Sequence, residues 1–173
     1  MHGTVVDSFL LSTIVPISKG RNANLSDSSN FRGIALSSVY GKLLDYIILA
    51  RYQDELTSSD LQFGFKANSS TNLCSMVLKE SIAYYIKHQT PVFCTFLDAT
   101  KAFDRLHYCK LFKLLVKRDL PAQIVRVLAN LYINNLVRVS WGGVVSEYFL
   151  AANGVKQGAV LSPVLFACIL TIC

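Results

Sequence analysis

A carboxylate closing an apolar run is the first place in this chain where chemistry could start. Val92, Phe93, Cys94, Thr95, Phe96 and Leu97 are β-branched, aromatic or otherwise apolar for the most part, and Pro91 bounds them. That pattern predicts a buried strand, and it ends on Asp98. A charge there is costly to desolvate unless a cation meets it. Lys101, Phe103 and Asp104 follow closely. Three kinds of site begin this way. A P-loop needs a Gly-rich run ending in Gly-Lys-Ser or Gly-Lys-Thr, which this chain lacks. A phospho-aspartate phosphatase usually has a second Asp two residues on, where this chain has Thr100. A two-metal nucleotidyl transferase needs further carboxylates and a bulky residue beneath the sugar, a part Phe103 is placed to play. The strand alone leaves the choice open.

The elements around it read as a mixed α/β (α+β) fold. Residues 8–18 predict a strand that turns near Pro16, and residues 31–36 a second one. The polar loop between them carries Lys19 and Arg21, so the pair could form a basic flap over a phosphate, or simply a surface loop. Ser37 or Ser38 caps a helix to about Leu56, with Tyr40, Leu43, Leu44, Ile47, Ile48 and Tyr52 on its apolar face. Ser70 or Thr71 caps another to about His88, with Leu73, Met76, Val77 and Ile82 facing inward. Beyond Asp104 a helix runs to Lys117, where Lys110, Lys113 and Lys117 read as a solvated face opposite Leu111, Leu114 and Leu115. Pro121 starts the next helix. Leu136–Ser140 and Val144–Leu150 predict a hairpin across Trp141-Gly142-Gly143. A last apolar helix starts near Ala159, with Pro163 in its first turn.

Composition narrows the partners. At 173 residues, 52% hydrophobic and 16% charged, the chain has the makings of one domain with a real core. Residues 1–60 carry five Lys/Arg against six Asp/Glu, whereas residues 61–173 carry twelve against five. The basic surplus of the second part favours a polyanion such as nucleic acid, or is a solvated basic surface. Five cysteines without C-x-x-C spacing, several in apolar runs, predict reduced, buried thiols in an intracellular protein. No stretch is apolar for long enough to span a bilayer.

Four stretches in order then carry a resemblance. They are NFRGIALSS (30–38), QFGFK (62–66), FLDATKAFDRL (96–106) and NGVKQGAVLSPVLF (153–166). Together they resemble the fingers and palm of a reverse transcriptase, an RNA-directed DNA polymerase, of a non-LTR (LINE-type, jockey-like) retrotransposon. The last two stretches are the most specific.

The resemblance implies a fingers-like region over 1–90 with the basic flap, and a partial palm over 91–173, within one reverse transcriptase domain. It implies that Asp98 is catalytic and binds Mg²⁺ together with the backbone carbonyl of Ala99, as the first of three metal-binding carboxylates. The incoming deoxynucleoside triphosphate would meet Arg32, the backbone at Lys101 and Ala102, Phe103 as a steric gate, and Gln157 with Gly158. Gln62, Gly64 and Lys66 resemble a segment that contacts the template strand. Asp104 reads as a cap or salt-bridge partner. RNA template and DNA primer are the implied partners.

The family pattern continues to an aromatic-x-Asp-Asp hairpin and a thumb, and here no Asp follows Asp119. One carboxylate does not hold two metals, so the expectation is a truncated domain that does not polymerise by itself. Other readings are a nucleic-acid-binding module without chemistry, or an unstable retroelement relic.

Overall fold

The computed structural model describes residues 3–20, 24–66, 68–98 and 101–170. Strand β1 (Leu11–Ser18) and strand β2 (Phe31–Ser37) pair antiparallel from Ser12↔Ser37 to Ser18↔Phe31. The loop between them is tied back on itself. Lys19 Nζ donates to Ser29 O at 2.7 Å, and the Asp27 carboxylate accepts from Ser29 N and Oγ. Arg21 lies outside the described residues.

Ser38 caps helix α1 (Val39–Arg51), its Oγ accepting from Gly41 N at 3.0 Å. Ser70 caps helix α2 (Thr71–Lys87) in the same way through Leu73 N. Helix α3 (Tyr108–Lys117) and helix α4 (Ala122–Ile133) follow. Strand β3 (Leu136–Trp141) then returns parallel to β1, with Leu11↔Leu136 in register. Two short strands, β4 (Val144–Val145) and β5 (Phe149–Leu150), pair with β3 on its other side. Helix α5 (Ser162–Leu170) carries Pro163 in its first turn, where a missing N–H costs nothing.

The core lies between the C-terminal helices. Leu111 and Leu115 of α3, Leu128 of α4, and Leu165 with Cys168 of α5 are wholly buried, and Ile48 reaches them from α1. The guanidinium of Arg118, at the end of α3, clamps this assembly. It donates to the carbonyls of Glu55 and Thr57 and to Sγ and O of Cys168. No helix among the described residues is long and apolar enough to cross a membrane.

Three expectations are corrected here. Residues 92–97 form no strand. They are extended and exposed, with Phe93 at 93% and Leu97 at 96%. A strand needs a partner, and residues 92–97 pair with none of the five strands. β1 has partners on both edges, as does β3, and β2 uses its outer edge at Ala35, whose N–H donates to Gln157 O at 2.7 Å. The inward face of α1 is Leu44, Ile48, Leu49 and Tyr52, whereas Tyr40, Leu43 and Ile47 are exposed. Of the described cysteines, which are all free thiols, Cys168 alone is buried, because Cys74, Cys94 and Cys109 lie on segments that pack little or on an outer helix face.

Candidate functional site

Three of the four motif stretches meet at one place. Val155 N donates to Phe103 O at 2.9 Å and Gly154 N to Leu106 O at 3.0 Å, which lays the 153–158 loop along residues 103–106. The approach is close enough to require glycine. A Cβ on Gly154 (φ +86°) would stand 2.9 Å from Phe103 O and 3.0 Å from Asp104 Cα. The side chain of Gln157 donates through Nε2 to Asp104 Oδ1 at 3.1 Å, while its carbonyl holds β2 at Ala35. Gly158 (φ +101°) passes so close to β2 that a Cβ would meet Ile34 Cγ2 at 3.2 Å.

Together these segments enclose a cavity of about 140 Å³. Gly33 and Ala35 of β2, Ile14 of β1, Asn135 and Val137 by β3, Asp104 and the 153–157 loop line it. Its polar groups are those of a recognition surface, a carboxylate, amides and main-chain groups, over an apolar floor. Beside it, Ser12 Oγ donates to Asn135 Oδ1 at 2.9 Å and fixes β1 to the start of β3.

Phe103 is half-buried, its ring stacked on Phe166 of α5 at 4.6 Å, and Phe65 meets both rings edge-on at 5.8 and 6.4 Å. That cluster joins the 62–66 stretch to the same neighbourhood. Within the stretch, Lys66 Nζ pairs with Asp60 Oδ1 at 2.9 Å, Gln62 is half-buried and Gly64 is exposed. Arg32 is exposed and stands opposite Ile17; strand alternation puts it on the sheet face away from Gly33 and Ala35. Lys101 is exposed with φ +53°, and Ala102 is half-buried beside Phe103.

Asp98 is exposed at the end of the extended 91–98 segment, and Ala99 lies outside the described residues. Among the described residues no three of His, Cys, Asp and Glu come together as a metal-holding group. Asp104 is engaged by Gln157, a bond that neither residue's motif pattern announced. The donor set here therefore does not make a two-metal centre, and no chemical step is derived through one.

Sequence reasoning also missed two half-buried charged groups behind the loop, Asp45 and Lys156. Asp45 of α1 accepts from Leu161 N at 3.3 Å. Burial pushes its carboxyl up from the ordinary value, an effect the Leu161 amide and Lys156 partly offset. Burial pushes the Lys156 ammonium down, with Asp45 opposing. The signal was present, since Asp45 sits between Leu44 and the Ile47-Ile48 pair of an apolar periodic segment.

Comparison with known proteins agrees with this geometry. A family model described as reverse transcriptase (RNA-dependent DNA polymerase) matches residues 17–172. A Pol polyprotein of the type-2 retrotransposable element R2DM of Drosophila melanogaster is 29% identical over 137 residues, 79% of this chain and 13% of that protein. The corresponding polyprotein of a type-1 element R2 in Nasonia vitripennis is 27% identical over 98% of this chain and 16% of its own length. The RNA-directed DNA polymerase of the mobile element jockey of Drosophila melanogaster is 29% identical over 82% of this chain and 16% of its own. The chain thus spans roughly a seventh of these relatives. With the family matched over nearly its whole length and the motif stretches meeting at one cavity, the chain belongs to the reverse transcriptase family, on the branch carried by non-LTR retrotransposable elements.

Proposed function

We propose that the chain supplies the nucleotide- and template-facing part of an RNA-directed DNA polymerase that performs two-metal nucleotidyl transfer. The observation that carries this is the convergence of residues 33–35, 103–106 and 153–158 on one cavity. Each contributes what a nucleotide site uses. Gly33 and Ala35 give a flat floor, and the Asp104–Gln157 bond presents a fixed amide. Gly158, without a Cβ, lets the loop close on β2 at Ile34 while its own main chain stays exposed. By the resemblance Arg32 and Lys101 would be the cations for a triphosphate; Lys101 stands two residues before Phe103, whereas Arg32, on the other face of β2, would have to meet the phosphates outside this cavity. Phe103, braced by Phe166, would serve as the gate beneath the sugar, and Gln62, Gly64 and Lys66 would contact the template. The 1–90 region would act as fingers and 91–173 as part of a palm.

The family implies a divalent cation and a nucleic-acid template. Asp98, with the carbonyl of Ala99, would contribute hard oxygen ligands to Mg²⁺ in the whole polymerase, and among the described residues no group of three His, Cys, Asp or Glu gathers to hold an ion. The chain by itself, given a primed RNA template, Mg²⁺ and all four deoxynucleotides, is expected to extend nothing. Template-dependent product that vanishes in Asp98→Ala would show that its own carboxylates suffice.

Titration with a fluorescent deoxynucleoside triphosphate tests the reading directly. Gln157→Ala leaves Asp104 without its partner and should weaken binding by about tenfold, the worth of one charge-assisted hydrogen bond. Absence of binding by the unaltered chain at millimolar nucleotide would overturn it. The twelve-to-five excess of basic residues over 61–173, with Lys110, Lys113 and Lys117 all exposed on α3, favours a second reading, a nucleic-acid-binding module without chemistry. Steeply salt-dependent RNA binding without nucleotide binding would select it.

A further inference from the structure

Gln157 lines the cavity from one side of its loop, Gly158 packs on β2, and on the other side the loop rests on α1. Asp45 of α1 accepts a hydrogen bond from Leu161 N at 3.3 Å, just before α5 begins. Lys156, the residue before Gln157, turns back toward the same place. Ser37, Gly41, Asp45, Tyr132, Lys156 and Ala159 share a second cavity of about 30 Å³. Ser37 Oγ is buried there without a hydrogen-bond partner among the described residues. Asp45 and Lys156 do not touch, because Lys66–Asp60 is the only ion pair within 4 Å among the described residues. They act across a space with room for one water, for which a carboxylate, an ammonium and a hydroxyl supply three partners.

We infer that Asp45 is a positioning residue for the nucleotide-binding loop, holding Lys156 inward across this cavity and so setting where Gln157 and Gly158 stand. The inference rests on the nucleotide reading of that loop. Lys156 cannot move without Gln157, whose carbonyl is bonded to Ala35 N at 2.7 Å and whose side chain is bonded to Asp104. With Asp45 neutral, nothing opposes the pull of water on the buried ammonium. Lys156 then swings outward, the Ala35–Gln157 bond loosens, and the amide that meets the nucleotide is displaced.

Two properties separate this role from plain structural support. Burial works against both charged forms, so losing Asp45 should not weaken the fold as a whole, only the loop. Removing both charges should also repair what removing one damages, because Met keeps the Lys156 seat filled without a charge to hydrate.

The experiment compares the chain with Asp45→Asn, Lys156→Met and the double variant, by amide hydrogen exchange and by fluorescent deoxynucleotide titration. Exchange at Ala35 reads the loop, since neither substitution touches its acceptor. Exchange at Leu115 and Leu128 reads the core. Asp45→Asn is expected to speed Ala35 exchange at least tenfold and to weaken nucleotide binding similarly, with Leu115 and Leu128 unchanged and the melting temperature no lower. The double variant should recover most of both losses. Ala35 exchange unchanged in Asp45→Asn overturns the inference, as does a double variant at least as damaged as Asp45→Asn. Should Asp45→Asn not fold, folding restored by adding Lys156→Met supports the role, and a double variant that also fails to fold overturns it. If the unaltered chain binds no nucleotide, the functional reading fails, while Ala35 exchange still decides the role of Asp45.

Discussion

Helices α2 and α3 both carry apolar residues three and four apart, far more one-sidedly in α3, and come to rest in opposite environments. Leu111, Leu114 and Leu115 of α3 are 0–6% exposed against α4 and α5. Leu73, Met76 and Val77 of α2 are between 36% and 54% exposed, and that helix buries no residue at all. α2 is capped by Ser70 and α3 has no side-chain cap, yet both formed. Local helical preference therefore suffices for the helix to exist, whereas burial also needs a one-sided apolar face and a second surface to receive it. The two extended segments differ for the same reason. β3 found β1 on one edge and β4 and β5 on the other, while residues 92–97, the more strand-like in composition, pair with no strand.

The contrast between the helices breaks most readily at single leucines and methionines. Leu115→Ala empties a fully buried site of α3 and should cost about 2–5 kcal/mol in urea denaturation, the usual range for deleting a core side chain. Met76→Ala, at 54% exposure, should stay within about 0.5 kcal/mol of the unaltered chain. A loss at Met76 comparable to that at Leu115 would mean that α2 is covered in solution and that the two helices do not differ in burial.

How much of this was legible in the sequence follows the same division. Ser38 and Ser70 were readable as caps because capping is local, requiring only an oxygen within reach of an amide three residues on. The strands expected over 8–18 and 31–36 were found at 11–18 and 31–37, and the last helix, expected from near Ala159, begins at Ser162. The motif residues Gln157, Gly158 and Phe103 were identified by pattern, and Gly158 by the close approach a glycine permits. What the pattern did not contain was pairing. Gln157 bonds Asp104 across 53 residues of chain, and Asp45 reaches Leu161 across 116. The strand expected before Asp98 failed for the same reason, since a run of β-branched residues states a preference and the sheet's free edges decide the outcome.

A finer test uses the two caps. Ser38→Ala and Ser70→Ala remove equivalent bonds, from Gly41 N at 3.0 Å and from Leu73 N at 3.2 Å, each worth about 1 kcal/mol to its helix. Because α1 contributes Ile48 to the core, Ser38→Ala should lower global stability by about that amount. Ser70→Ala should reduce helical circular dichroism and amide protection within α2 and leave the unfolding midpoint where it was. Equal shifts of the midpoint would show α2 and the core to be one cooperative unit.

The smallest effect, and the sharpest on the packed side, is the pH dependence of Asp45. The charged and titratable groups around it are Lys156 and Tyr132, with the Leu161 and Val160 amides donating to it. Burial is the largest influence and raises its folded value above 3.8. The folded chain thus binds this proton at a pH where the unfolded chain has released it. Between those two values the contribution of Asp45 makes stability fall as pH rises. Asp45→Asn removes that contribution, so its melting temperature relative to the unaltered chain should climb through the mildly acidic range just above 3.8 and level off toward neutrality. A difference that instead shrinks with rising pH would mean that the carboxylate is held below its ordinary value, by a Lys156 closer than the geometry places it. The same substitution would then weaken the fold as well as the loop, and the separation between the two on which the positioning role depends would be lost.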